Sequence, residues 1–404
     1  MQLFRRLPFI YISLAHFAVD NLSGLTPILL AFLSAPLGLA NAGIGLVSTL
    51  SAMASALPQP IFGWISDRFG HRWTSAAGLL WIAFFFSLVP WVPGRWVLVV
   101  LVAAAVGSAA FHPSGAAKAA EDGSRYLAGS ATTAAALFFF FGAGGTVIGP
   151  ALGGFLIDQL GLPGVLAFSA IGFAVAALAI VRSGWEKTGT SGRAPLPQGQ
   201  GRLFLKEVRW GGLILLLSIA SLRYWAQLAA QTFIPKFYMD LGYSTTSYGL
   251  ITGMFMAGGL LGGLVGGVLG DRWGNRKTIV TSLALSVAPL YFFPLARGLA
   301  LLGLIALAGA FNGAPHSILV TMAQKSLPGR IGLASGIALG SMFTAGAVGV
   351  YFSGLLADRI GLGVVLQGNA LLALGALLVA GLAFRREGSR RARSLTTRGI
   401  FLPR

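Results

Sequence analysis

The chain has 404 residues, 55% hydrophobic and 10% charged, with no cysteine and a formal net charge of +18. Soluble domains carry about 25% charged residues, so the composition excludes an ordinary soluble domain, and the missing cysteines exclude a disulfide scaffold. In a membrane chain the excess of Lys and Arg belongs to cytoplasmic loops, so no nucleic-acid partner is expected.

Apolar runs predict twelve spans of about 20 residues each. The first six fall at 8–33, 42–65, 73–91, 95–118, 129–157 and 163–183. The second six fall at 211–238, 246–269, 278–296, 299–324, 332–357 and 363–384. Met1 to Arg6 is too short for a separate targeting segment, and the run that follows is too long for a signal-peptide core. The predicted organisation is a six-helix bundle over 1–185, a linker over 186–210, a second bundle over 211–385 and a basic tail over 386–404. The linker ends in Arg202 to Trp210, whose mixed basic and apolar residues suit a short helix along the membrane surface.

With the N-terminus inside, 24 Lys and Arg fall on the cytoplasmic side, 4 outside, and Arg223 within a span. Both termini are therefore expected in the cytoplasm of a multi-pass inner (plasma) membrane protein.

The chain repeats itself. Gly63-Trp-Ile-Ser-Asp67-Arg68-Phe-Gly70-His71-Arg72 returns 204 residues later as Gly267-Val-Leu-Gly-Asp271-Arg272-Trp-Gly274-Asn-Arg276. Leu37-Gly38 matches Leu241-Gly242, and His112 matches His316, at the same offset. Gly154 to Asp158 resembles Gly354 to Asp358 at 200. Six spans per copy give both copies one orientation, hence an all-α polytopic protein of two six-helix bundles related by a parallel pseudo-two-fold repeat, with a cavity between them.

The two Asp-Arg turns are read as a conformational gate made by Gly63, Asp67, Arg68, Arg72, Gly267, Asp271, Arg272 and Arg276. Their carboxylates suit helix N-termini, and their arginines suit contacts that form in one state only. Within the spans, Asp20 is a carboxylate near mid-membrane, where insertion costs roughly 2.5–3.5 kcal/mol. His16 stands one turn before it on the same face. Arg223 occupies almost the equivalent place in span 7 and suits an anion. Asp20, His16, His112 and Arg223 are the expected proton-coupling or substrate-binding groups. Asn21, Tyr224, Gln227, Gln231 and His316 are candidate cavity residues, and Asp20 and Arg223 are expected to meet across the cavity. The small residues Gly142 to Pro150 suit close packing or a gate helix.

No catalytic motif, metal site or cofactor is expected: there is no His-Glu-x-x-His, no Cys and no acid pair inside the membrane. An intramembrane enzyme is thereby disfavoured, and the mobile-looking glycine-rich helices speak against a fixed channel. Without a nucleotide-binding motif, the energy source is an ion gradient.

The Gly-x-x-x-Asp-Arg-x-Gly-x-Arg-Lys pattern, repeated in a six-plus-six chain, resembles the major facilitator superfamily of secondary transporters. Its second copy ends in Arg276-Lys277, whereas the first has Trp73 where a basic residue belongs. His16-Phe-Ala-Val-Asp20-Asn21 and Phe111-His112-Pro113 are similar to the fosmidomycin-resistance family of drug efflux transporters. That family commonly carries a Glu after His-Pro. Ser114 stands there in this chain, so the resemblance implies that another group carries protons or that coupling differs. The expected function is proton-coupled efflux, by antiport, of a small polar or anionic compound or drug from a monomer in the lipid bilayer. The alternative is an uptake symporter of a small anionic metabolite.

Overall fold

The computed structural model describes residues 7–126, 131–182, 210–326 and 331–398. The first bundle contains α1 (Leu7–Leu37), α2 (Asn41–Ala56), α3 (Gln59–Phe69), α4 (His71–Leu88), α5 (Trp96–Tyr126), α6 (Ala131–Leu160) and α7 (Val165–Arg182). The second contains α8 (Trp210–Asp240), α9 (Thr245–Trp273), α10 (Asn275–Phe292), α11 (Gly298–Gly313), α12 (His316–Ser326), α13 (Ile331–Ile360) and α14 (Leu362–Arg398). Apart from Trp210, which opens α8, the expected linker and its surface helix lie outside the described residues.

Among the described residues, eleven segments are long and apolar enough to cross a membrane, with α2 and α3 joined as one and α11 and α12 as another. The twelfth expected span is α4, 18 residues that begin on the polar His71-Arg72. Two spans are interrupted because proline removes a backbone donor and crowds the preceding turn. Pro58 separates α2 from α3, and Pro315 separates α11 from α12. Pro113 is accommodated inside a continuous α5.

The internal repeat is written in the backbone as well as in the side chains. All eight described glycines with positive φ fall into four pairs: Gly38 with Gly242, Gly70 with Gly274, Gly94 with Gly298, and Gly161 with Gly361. Three pairs follow the C-terminal ends of corresponding helices, while Gly94 and Gly298 stand at the starts of α5 and α11; a Cβ would be strained at each.

The chain divides into two units, each packed mainly on itself. One comprises the described residues of Met1–Leu196 with Ala229–Ala257 and Ala347–Val365; the other comprises those of Pro197–Leu228, Gly258–Gly346 and Leu366–Arg404. The first unit thus gathers α1–α7 with the ends of α8, α9, α13 and α14 that adjoin the turns at Gly242 and Gly361.

Lipid tails offer helices no hydrophobic drive to associate, so close backbone approach must supply the contact. In the second unit Gly258, Gly262 and Gly266 recur every fourth residue along α9 and meet α11. A Cβ on them would collide with the carbonyl oxygens of Ala306, Ala310 and Ala314 respectively. In the first unit Gly78 and Gly107 cross backbone to backbone between α4 and α5. Large apolar side chains such as Trp64, Phe84, Leu264 and Leu371 remain exposed, as a lipid-facing surface requires.

Gly262→Val is expected to lower the melting temperature of the purified protein by several degrees, since overpacking costs about 1–3 kcal/mol. Gly303→Val, with open space at its Cβ position, should leave the melting temperature within a degree of wild type. Equal melts for the two variants would remove this role from the glycine row.

Candidate functional site

The first unit holds a compact ionisable cluster. Asp20 stands thirteen residues into α1, and one turn earlier His16 points its Nε2 at Asp20 Oδ2, 3.3 Å away. His112 comes from α5 and places its Nε2 3.2 Å from Asp20 Oδ1. Three residues singled out in the sequence are thus brought together, with both carboxylate oxygens engaged. Exposure rises along the cluster, from 2% for His16 through 15% for Asp20 to 26% for His112.

The other ring nitrogens decide the proton chemistry. His16 Nδ1 lies 2.8 Å from the carbonyl oxygen of Phe138, and His112 Nδ1 lies 2.8 Å from that of Ser108. A carbonyl only accepts, so each Nδ1 carries a hydrogen. A neutral ring then presents a bare Nε2 lone pair to Asp20. Each histidine–carboxylate edge becomes a hydrogen bond only when one more proton is present, on the ring or on the carboxyl group. The cluster therefore has two internal proton positions. Its ligating atoms lie within 4.8 Å of one another, a spacing that would also admit a metal ion. Protons alone, however, complete both edges at hydrogen-bond distance.

Packing fixes this geometry. The His16 ring stacks on Phe138 with centroids 4.0 Å apart, and Phe139 meets it edge-on at 5.8 Å. Helix α6 lies directly on the cluster: a Cβ at Gly142 would collide with His16 Nε2 and sit 2.7 Å from Asp20 Oδ2. Further along, Gly145 and Gly149 abut the carbonyl oxygens of Phe17 and Asn21. The small residues of α6 thus act first as packing against α1. Asn21 is buried there with its Oδ1 unpaired. Ser55 donates to Ser108 Oγ at 3.1 Å, and that hydroxyl lies 3.1 Å from His112 Nδ1, extending the polar chain into α2. Ser114 is fully buried, donates to the carbonyls of Ala110 and Phe111, and takes no part in the cluster.

Arg223 stands thirteen residues into α8, in the second unit, and is 2% exposed. Its Nη1 donates to the carbonyl of Asn312 at 2.8 Å, and its Nη2 lies 3.1 Å from His316 Nδ1. Asn312 donates in turn to Gln227 Oε1 at 2.8 Å. Tyr224 packs on Phe343 with centroids 5.2 Å apart. Gln231 is half-buried and makes no hydrogen bond among the described residues. Asp20 and Arg223 are each met by partners within their own unit.

The expected gate residues sit at helix ends, in the last turns of α3 and α9 and the first turns of α4 and α10, and are exposed or half-buried. Asp67 and Asp271 form no hydrogen bond or ion pair among the described residues. Arg68 lies over Trp64, Arg72 donates to the carbonyl of Ile180, and Arg276 lies over Phe384 at 5.5 Å. Arg272 is exposed. A Cβ at Gly63 or Gly267 would make only ordinary contacts, at 3.8 and 3.5 Å; it is Gly70 and Gly274, with φ of 100° and 92°, whose backbone requires glycine. His71 was not singled out. It joins the first turn to α5 through Glu121, 3.2 Å away, while its Nδ1 is 2.6 Å from Ser66 Oγ.

Sequence reasoning also missed a pair of carboxylates at the opposite helix ends. Asp67, Asp158, Asp271 and Asp358 each stand two residues before the last residue of their helix, where the macrodipole disfavours negative charge. Asp358 resolves the conflict by accepting from Asn41 N–H at 2.8 Å and Ala42 N–H at 2.9 Å, the first two amides of α2. The residue before them, Ala40, supplies no side-chain cap. Asp158 accepts from the Thr246 hydroxyl at 2.7 Å, at the start of α9. Thr246 is the repeat counterpart of Ala42. Beside these contacts Gly154 and Gly249 pack backbone to backbone, and Gly45 meets Val350. The signal was in the sequence: a carboxylate in a helix's last turn needs an N-terminus elsewhere.

Eleven described segments of membrane-crossing length, with the shorter α4 beside them and charged groups buried part-way along the spans, describe a polytopic membrane transporter rather than an enzyme. Known proteins agree. The family model of the Major Facilitator Superfamily matches residues 12–248 and 216–403, and the chain belongs to that family, with its two-bundle, internally repeated architecture. It is 28% identical over 381 residues to the Fosmidomycin resistance protein of Escherichia coli (strain K12), covering 91% of this chain and 90% of that one. It is 27% identical over 367 residues to the uncharacterized MFS-type transporter YfnC of Bacillus subtilis (strain 168), covering 87% of each. A bacterial homolog of the human lysosomal transporter Spinster, inward-facing and unoccupied, superposes with a TM-score of 0.74 at 16% identity over 94% of this chain and 97% of that one. The nucleoside transporter NupG superposes with a TM-score of 0.71 at 13% identity over 93% and 99%.

The chain has four histidines, so nitrogen-15 NMR of histidine-labelled protein can resolve each ring. His16 and His112 are expected to carry a proton on Nδ1 at every pH at which the protein is folded. A spectrum with either Nδ1 bare would remove the two-position proton site. Asp358→Ala should raise hydrogen exchange at Asn41 and Ala42 several-fold with little change in the middle of α2; unchanged exchange would deny the cap.

Proposed function

We propose that the protein is a proton-coupled exporter of a small polar or anionic compound, working by alternating access as a monomer in the plasma membrane with both termini cytoplasmic. The observation that carries the reading is the His16–Asp20–His112 cluster. A carboxylate inside the span is tolerable when it is partnered, and here both partners are bases whose free nitrogens face it. Loading and unloading protons changes the charge of the cluster without moving the backbone far. Graded exposure makes His112 the group through which protons enter and leave. For antiport, proton and substrate must exclude one another, and a substrate group that donates to Asp20 competes for the same oxygens as the protons do. The direction is supported by the relative named for fosmidomycin resistance.

The gate reading extends to both helix ends. Asp158 and Asp358 are engaged, whereas Asp67 and Asp271 have no hydrogen-bond or ion-pair partner among the described residues. That division fits a carrier in which one set of carboxylate–helix contacts is made while the other is broken. The lysine and arginine count supports placing the engaged set on the outer side.

The test is proton-driven flux of fosmidomycin, and of a panel of small anions and zwitterions, in liposomes containing the purified protein. Asp20→Asn is expected to abolish gradient-driven accumulation, and His112→Ala to reduce it at least tenfold. Gly142→Ala should act like Asp20→Asn, because its methyl group occupies the space of the His16–Asp20 edge. Gly144→Ala, whose Cβ meets Phe17 at an ordinary 3.8 Å, should transport normally. Wild-type accumulation by Asp20→Asn would overturn the reading.

A further inference from the structure

We infer that the break between α11 and α12 is a binding site for a singly charged oxyanion, a carboxylate being the simplest, held by Arg223 and His316. The inference rests on the transporter reading above and names the substrate class that this part of the chain recognises.

The argument begins with charge. Arg223 is a permanent cation, 2% exposed, inside a membrane helix. Among the described residues it forms no ion pair. Asp271 is the one acid of the second unit whose side chain is described, and it lies exposed in the last turn of α9. The carbonyl end of α11, which Arg223 contacts through Asn312, offers roughly half a negative charge. The amino end of α12 begins at His316 and brings roughly half a positive charge to the same break. The two cancel, and the whole positive charge of buried Arg223 remains at the break. Burying it without a counter-charge is costly.

Hydrogen-bonding capacity points the same way. A guanidinium only donates, so the 3.1 Å contact from Nη2 makes His316 Nδ1 the acceptor. The proton of a neutral His316 is therefore on Nε2, and among the described residues that N–H has no partner. Arg223 Nε is likewise buried and unpartnered. Gln227 accepts through Oε1 from Asn312, which leaves its amide N–H groups as donors. The first amides of α12 have no partner within their helix. The break thus gathers unused donors and one cation, and a broken membrane helix whose amino end faces the site is a recurring way to hold an anionic group. One positive charge balances one negative charge; a dianion would leave a charge uncompensated in the span.

The test uses the full chain in detergent at pH 8 with three probes of similar shape: benzoate (one charge), benzamide (none) and phenyl phosphate (two). Calorimetry on the wild type is expected to show benzoate binding at least tenfold more tightly than either of the others. Arg223→Gln should weaken benzoate at least tenfold. His316→Phe, which keeps an aromatic ring but lacks the donor, should weaken it several-fold. Lys325→Gln removes a positive charge further along α12 and should change nothing, which separates the site from bulk electrostatics. Should Arg223→Gln fail to fold, Arg223→Lys and His316→Phe carry the test. Equal binding of benzoate and benzamide, a preference for phenyl phosphate, or undiminished benzoate binding in both His316→Phe and the Arg223 variant that folds would overturn the inference. Benzoate binding without proton-driven flux would instead sink the coupling reading and leave the anion site standing.

Discussion

A carboxylate inside lipid must be neutralised, hydrogen-bonded or hydrated, and Asp20 imposes that requirement on three helices at once. His16 answers from the same helix and His112 from α5. Helix α6 contributes no polar group of its own side chains; it contributes the absence of one. Because Gly142 has no side chain, α6 can lie against the imidazole–carboxylate edge, and Phe138 can both stack on His16 and accept from its Nδ1. The aromatic wall, the glycine row and the ion pairs are therefore one arrangement. Enlarging any member displaces the others.

The two halves have used equivalent places in opposite ways. The same depth along the first helix of each half carries a carboxylate in one and a guanidinium in the other. The histidines at the paired positions follow suit: His112 directs its Nε2 to an acid, while His316 accepts at Nδ1 from a cation. A duplicated bundle gave two similar scaffolds, and a few substitutions left one with a histidine–carboxylate cluster and the other with a cluster of donors. The backbone remained symmetric, as the paired glycine turns record.

Much of the fold was legible because lipid imposes long apolar runs and the repeat recurs at a nearly fixed offset. The cluster was legible in part. His16 and Asp20 are one turn apart on a helix, so their contact follows from helical geometry alone. That His112 would join them could not be read from spacing, because it depends on how α5 crosses α1. The meeting of Asp20 with Arg223 rests on repeat equivalence, which speaks of depth and not of partners; the partners described for each charge belong to its own unit. Of the glycines in the Asp-Arg stretches, Gly63 and Gly267 were the ones read into the gate. Backbone dihedrals separate them, since Gly70 and Gly274 are needed for their turn and Gly63 and Gly267 have room for a methyl group. The trans-capping carboxylates escaped notice because their conspicuous feature, a charge at the wrong end of its own helix, was not read as a demand on another helix.

That demand bears on the birth of the protein as well as on its working cycle. Helix α2 begins after an alanine that cannot cap it, and its first two amides are satisfied by Asp358, more than three hundred residues downstream. A ribosome releases Asn41 long before it reaches Asp358. The first bundle is therefore made with one helix end unfinished, and it is completed when the penultimate membrane span arrives. A chain that stops before Asp358 lacks this contact altogether and keeps the first two amides of α2 without their carboxylate.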